Sequence, residues 1–291
     1  MRLRRAGLTA VLVVLMGAVN TPGLPSDKNL EQYGYYADAL SFMHSDDSLS
    51  FVELFGLIPT HDLIFVKFSG GFSASYRLAV KVIDSSGIVV ATQALVDSVK
   101  VRTFKDIDKP RPARLSRFSF VLDPGGYVAH FTLTDLETRK DLMFQKEIEV
   151  RDFTRSVLQM SDVQIAASIS TSDARNAFVK NQRLIVPNVP RVVLNAIYVY
   201  TEIYHLPYEG SGEFEATYLI QTEAGKTVKS IAYRRPKPDS TVALSLRIPI
   251  MELDSGHYVL VLQVQDLDGA QTVEHSTTFR IVDAGHGVAT R

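Results

Sequence analysis

The chain is predicted to be all-β: two tandem antiparallel β-sandwich domains of the Ig/fibronectin-like kind, following an N-terminal signal segment. Three observations predict this. Apolar residues beyond the leader recur with period two, turn signals return every roughly 8–12 residues, and blocks from the first half reappear in order in the second. At 291 residues, with 46% apolar and 22% charged, the chain suits two domains of ordinary size, each with its own core.

The leader comes first. Arg2, Arg4 and Arg5 form a basic start, and Ala6 to Val19 is almost wholly apolar before the chain turns polar at NTPGLPSDKN. Such a run matches a signal h-region and is short of the ~20 residues that span a bilayer. Residues 1–23 are therefore read as a signal peptide or anchor, and the chain as exported to the periplasm or cell surface. Cysteine is absent, which removes disulfides, a lipoprotein attachment residue, thiolate chemistry and Cys-based zinc sites.

Strands follow. YADALSF is read as a strand rather than a short helix. In FSASYRLAVKVID, Phe72, Ala74, Tyr76, Leu78, Val80 and Val82 alternate with polar residues, as on a half-buried antiparallel strand. DSSG (84–87) turns the chain into GIVVATQALV, its hairpin partner. DPGG then leads into YVAHFTLTDL, and LETRKD into LMFQKEIEV.

The repeat fixes the domains. DPGGYVAHFTLTDL (123–136) aligns without a gap with DSGHYVLVLQVQDL (254–267). ELFGLIP (53–59) corresponds to EIYHLP (202–207), and Phe72-x-Ala74-x-Tyr76 to Phe214-x-Ala216-x-Tyr218. One such match arises readily between β-strands; three in order point to duplication. Domain 1 is placed at 33–152 and domain 2 at 160–283.

Chemistry-bearing motifs are scarce. No histidine pair has zincin spacing, and no nucleophile elbow, Walker loop or dinucleotide fingerprint occurs, so no catalytic residue, cofactor or metal is expected. Asp46-Asp47 and Asp266 with Asp268 fit turns better than a calcium loop. Tyr198, Tyr200 and Tyr204 share one strand parity and are assigned to the core rather than to a sugar-binding platform. A net charge of −1 argues against nucleic acid. The remaining candidates are two basic, Pro-rich segments before matching strands, KDIDKPRPARLSR (105–117) and YRRPKPDS (233–240). Their Lys109, Arg111, Arg114, Arg234, Arg235 and Lys237 are candidate contacts for an envelope protein or anionic surface polymer, set against a purely structural role in which proline blocks edge pairing. Contact with a membrane is expected only through a retained leader.

The order SFVELFGLIP, an F-x-A-x-Y strand, a D-P-G-x-Y turn-strand ending in D-L, MSDVQIA and a Y-x-E-I-Y-x-L-P block resembles the N-terminal region of bacterial exported proteins named for a GWxTD motif. The similarity covers roughly residues 36–282. It implies export and the sandwich fold, and it transfers no functional residues; the chain lacks Trp and hence the motif itself. Together these readings describe a non-catalytic binding or scaffolding protein. A hydrolase or hydrolase accessory acting on envelope polymer, and a self-assembling envelope component, are the alternatives.

Overall fold

A computed structural model describes residues 34–45, 49–109, 112–172, 178–207, 212–269 and 271–282. The leader and Asp46-Asp47 lie outside these. The described residues divide into two compact units, one comprising 34–39 and 49–152 and the other 40–45 and 153–282. Each is an antiparallel β-sandwich. Among the described residues a single 3-10 turn interrupts the strands, and no helix is long and apolar enough to cross a membrane.

The strands of the first unit are β1 (Tyr36–Met43), of which residues 36–39 belong to it, β2 (Ser50–Ile58), β3 (Val66–Phe68), β4 (Gly71–Asp84), β5 (Val89–Val101), β6 (Arg114–Leu122), β7 (Gly125–Asp135) and β8 (Asp141–Val150). One sheet has the order β1-β2-β6. The other runs β5-β4-β7-β8, with β3 beside the first residues of β4. Three strands thus face five, four long ones and the short β3, in a sandwich of the Ig/fibronectin-like kind. The alternation expected from the sequence fills the space between the sheets: Val52, Leu54 and Ile58 of β2 meet Ala74, Tyr76, Leu78, Val80 and Val82 of β4 and Phe131 of β7. Phe131 stacks on Phe144 at 4.9 Å and meets Phe118 edge-on at 6.2 Å.

The second unit contains β9 (Gln159–Met160), β10 (Gln164–Thr171), β11 (Val179–Lys180), β12 (Arg183–Pro187), β13 (Val192–Val193), β14 (Ala196–Tyr204), β15 (Glu213–Thr222), β16 (Thr227–Pro236), β17 (Val242–Pro249), β18 (Gly256–Asp266) and β19 (Thr272–Ile281). Its pairings repeat those of the first unit. β14 pairs β17 as β2 pairs β6; β15 lies between β16 and β18 as β4 lies between β5 and β7; β18 pairs β19 as β7 pairs β8. The additions are β9, which pairs the end of β14, the β11-β12 ribbon on β10, and β13, which pairs β19 in parallel.

Register sharpens the repeat and corrects one of its blocks. Asp135 and Asp266 are equivalent in the turn-strand alignment; Asp135 pairs with Tyr76, whereas Asp266 pairs with Phe214. Tyr76 therefore corresponds to Phe214, and the F-x-A-x-Y matches are displaced by four residues. The shift is even, so it preserves which face is buried, and periodicity alone could not reveal it. The corrected register uncovers a match that the residues conceal. Asp84-Ser-Ser-Gly87 coincides with Thr222-Glu-Ala-Gly225, both turns are closed by the same pair of backbone hydrogen bonds, and Gly87 and Gly225 adopt φ of 82° and 80°.

A second shared device stands at the start of β7 and β18. The Tyr127 hydroxyl donates to the Asp123 carbonyl at 2.9 Å, and the Tyr258 hydroxyl to the Asp254 carbonyl at 3.0 Å. Each bond pins the corner where the chain passes from one sheet to the other, as tyrosine corners do. Tyr127→Phe and Tyr258→Phe are each expected to cost about 1 kcal/mol in urea denaturation, with the greater loss at the more buried Tyr258.

Candidate functional site

The candidate cations occupy very different settings. Lys109 lies just beyond the 3-10 turn Phe104–Asp106 and pairs with Asp106 at 2.6 Å. Hydrogen bonds from Lys109 first, then from the Thr103 hydroxyl and amide, bring the Asp106 carboxyl down to about 2. Arg114 opens β6 and holds Asp97 through Nε at 2.8 Å and Nη2 at 2.6 Å, while the fully buried Tyr76 hydroxyl donates to the same carboxylate at 3.1 Å. Burial, then the Asp97 charge, pushes the Tyr76 phenol far above its ordinary value, so it remains a hydrogen-bond donor. Arg111 falls outside the described residues.

In the second unit, Arg234 and Arg235 lie within β16 rather than in a loop. Arg234 pairs across the strands with Glu215 at 2.9 Å, and Arg235 rests over the Tyr233 ring at 4.8 Å. Lys237 is drawn inward. Its side chain is 2% exposed; Nζ pairs with the fully buried Asp266 and with Asp268 at 2.6 Å. Burial works against its charge, but the hydrogen bonds to Asp266 and Asp268 outweigh it and raise the ammonium's pKa. A protonated, ion-paired amine is neither nucleophile nor base.

A cavity of about 440 Å³ opens beside this triad, lined by His205, Leu206, Lys237, Ser240, Asp266 and Asp268. Its carboxylates already hold a cation, the lysine itself. Among the described residues no group of at least three His, Asp or Glu side chains is placed to hold a metal. Gly269 makes the packing possible: a Cβ there would lie 2.5 Å from the Asp266 carboxylate.

The equivalent Asp135 has no lysine. Its carboxylate instead accepts the amides of Glu137 (2.9 Å), Thr138 (2.8 Å) and Ile64 (3.0 Å), with the Thr138 hydroxyl at 3.1 Å. Burial favours the neutral acid at both aspartates, but the hydrogen bonds together prevail and lower both carboxyls. A depressed folded value means stability that is present above the unfolded carboxylate value of about 3.9 and is lost as pH falls through the folded one. Asp135→Asn should therefore flatten the decline in stability below about pH 4. A stability–pH series from 6 to 2 checks this.

Glu53 and Glu202, matched in the sequence, are both held from outside the core. Glu53 is fully buried and pairs with Arg117 at 2.5 Å. Glu202 accepts the hydroxyls of Tyr200 (2.5 Å) and Tyr204 (2.8 Å) and the Asn181 amide (3.2 Å). The β14 tyrosines thus lie opposite the sandwich core, which takes Ile197, Val199 and Ile203 from that strand. Tyr200 and Tyr204 are nonetheless buried, covered by Asn181, Lys180 and Phe153. Shared parity gave their common face correctly, but not which face it was.

His–Asp contacts occur at His61–Asp62 and His275–Asp162, both at 3.2 Å. Neither pair lines the cavity, and Asp162 also accepts the Ser41 amide at 2.7 Å. Sequence reasoning missed the Asp97–Arg114–Tyr76 group and the tyrosine corners. Only the corners had a readable signal, a tyrosine four residues after the turn aspartate in both halves.

No protein-family model and no curated protein matches the chain. Among solved structures, red sea bream transglutaminase aligns with 85% of this chain and 31% of its own length, at 10% identity and a TM-score of 0.23. A calcium-binding mutant of Bacteroides uniformis beta-glucuronidase 2 aligns with 82% of this chain and 28% of its own, at 10% identity and 0.25. The chain spans about a third of the length of either.

Proposed function

We propose that the chain is an exported, non-catalytic binding or scaffolding protein of the bacterial cell envelope. The observation that carries this reading is how the polar groups are used. The cavity is walled by Lys237, Asp266 and Asp268, with one ammonium shared by both carboxylates, and the buried Glu53 and Asp135 and the half-buried Asp97 and Glu202 are each engaged by neighbours that brace strands or turns. Groups held in this way favour rigidity over turnover. The apolar leader and the resemblance to exported GWxTD-domain-containing proteins support the compartment.

Of the six candidate cations, Arg235 is the described one without a carboxylate partner. A role for the basic segments therefore centres on Arg235 and Arg111 rather than on Lys237. Incubating the protein with isolated envelope material tests the reading: sedimentation of the chain with the material, reduced by Arg111→Ser/Arg235→Ser, is expected, with no soluble fragments released. Release of fragments would instead establish the hydrolase.

A further inference from the structure

At one end of the first sandwich, aromatic side chains stand in solvent among cations. Phe68, at the tip of the β3–β4 hairpin, is 40% exposed; Phe104, in the turn after β5, is 67% exposed. The strand pairings place them together. Lys67 pairs with Phe72 and Phe72 with Val101, while the Phe104 ring meets Phe72 edge-on at 5.8 Å. Lys100 lies with Nζ 5.8 Å from the Phe68 ring.

This end is rigidly built. Thr103 and Asp106 cap the turn carrying Phe104 and Lys105 through bonds of 2.7 and 2.9 Å. Gly71, at φ 135°, brings the hairpin so close to β5 that a Cβ would lie 2.3 Å from the Val101 carbonyl. The surrounding charge is predominantly positive, the Asp106 carboxylate of the same turn being taken up by Lys109 and Asp108 lying exposed beside it. Lys67, Lys100, Arg102 and Lys105 are exposed, and none has a carboxylate partner among the described residues. In a chain of net charge −1, such a local excess is not a reflection of composition.

We propose that this end of the first unit docks on an anionic phospholipid bilayer. Phe68 and Phe104 enter the boundary between headgroups and acyl chains, and Lys67, Lys100, Arg102 and Lys105 face the headgroups. The combination of apolar tips with a ring of cations is what favours interfacial insertion. Phenylalanine lacks the polar handle with which tyrosine or tryptophan orients on a sugar. The inference rests on the envelope-binding reading and names the material bound. It differs from the expectation that only a retained leader would touch a membrane.

The absence of Trp from the chain supplies a clean probe. Phe104→Trp in the full chain gives a single indole at the docking tip, and Ile88→Trp gives one at the exposed turn at the other end of β4 and β5. The probes are vesicles of phosphatidylcholine alone, or mixed equally with phosphatidylglycerol, with and without brominated acyl chains. The indole at 104 is expected to shift to shorter wavelength and be quenched by bromine only with the mixed vesicles; the indole at 88 should do neither. Changing Lys67, Lys100, Arg102 and Lys105 to Ser in the Phe104→Trp chain should weaken partitioning by at least about tenfold, since each surface cation near anionic lipid contributes on the order of 1 kcal/mol. These cations are exposed, so an unchanged unfolding midpoint shows that folding is not the cause.

Absence of bromine quenching at 104, or equal responses at 104 and 88, overturns the proposal. A 104 response to a soluble acidic polysaccharide but not to vesicles overturns it in favour of a polymer partner. Capture by envelope material without quenching removes the docking while leaving the broader reading in place.

Discussion

Asp266→Ala is expected to destabilise the second unit by about 3–5 kcal/mol, the cost of leaving a buried charge without its partner. The side chain is fully buried, pairs with Lys237 and accepts the Asp268 amide at 3.1 Å, so its loss strands both an ammonium and a turn. Lys237→Met should cost less. Asp266 then keeps its amide donor and can relieve its own charge by taking a proton, while the half-exposed Asp268 turns to water. The two changes are not additive, because each removes the same pair. A double-mutant cycle by guanidinium denaturation, using Asp266→Ala and Lys237→Met, should give a favourable coupling of about 1–3 kcal/mol. If instead the two losses simply summed, the ion pair would be no brace for this unit.

Glu53→Ala is the second large effect. Glu53 is fully buried on β2, and its partner Arg117 on β6 is only 16% exposed, so truncation leaves a largely buried guanidinium without its carboxylate. A loss of about 3–5 kcal/mol is expected, again read by denaturation. Glu202→Ala provides the contrast. Its neighbours are the hydroxyls of Tyr200 and Tyr204 and the Asn181 amide, neutral groups that are cheaper to leave alone, at about 1–3 kcal/mol. The matched glutamates thus occupy corresponding places in the repeat with different chemistry. Equal losses would mean that the charge on Arg117 is better solvated than its burial implies.

Much of the fold was legible in the residues because an antiparallel strand with one buried face writes its orientation into alternate positions. Leu78, Val80 and Val82 showed their strand, and the turn aspartates with glycine showed its ends. Strand parity, however, is blind to even displacements. The F-x-A-x-Y blocks matched face for face while lying four residues out of register, and only the pairing of Tyr76 with Asp135 and of Phe214 with Asp266 revealed it. Parity likewise placed Tyr200 and Tyr204 on one face and said nothing about what covers them.

The candidate site was less legible for a related reason. A cation's availability depends on which carboxylate the fold brings to it, often from far along the chain. Lys237 finds Asp266 and Asp268, and Arg114 finds Asp97 seventeen residues away, on another strand. Composition registered all of them as basic. Conversely, Lys67, Lys100 and Arg102 belong to no conspicuous run, and they acquire meaning only when β3, β4 and β5 assemble around Phe68 and Phe104.

The central claim is that this protein works outside the cytoplasm by holding envelope material, and fractionation of intact cells combined with crosslinking and mass spectrometry tests it most directly. The expected result is recovery of the chain in the extracytoplasmic fraction, crosslinked to envelope components and enriched at Lys67, Lys100 and Lys105. Recovery in the cytoplasm, with crosslinks only to cytoplasmic proteins, would contradict it.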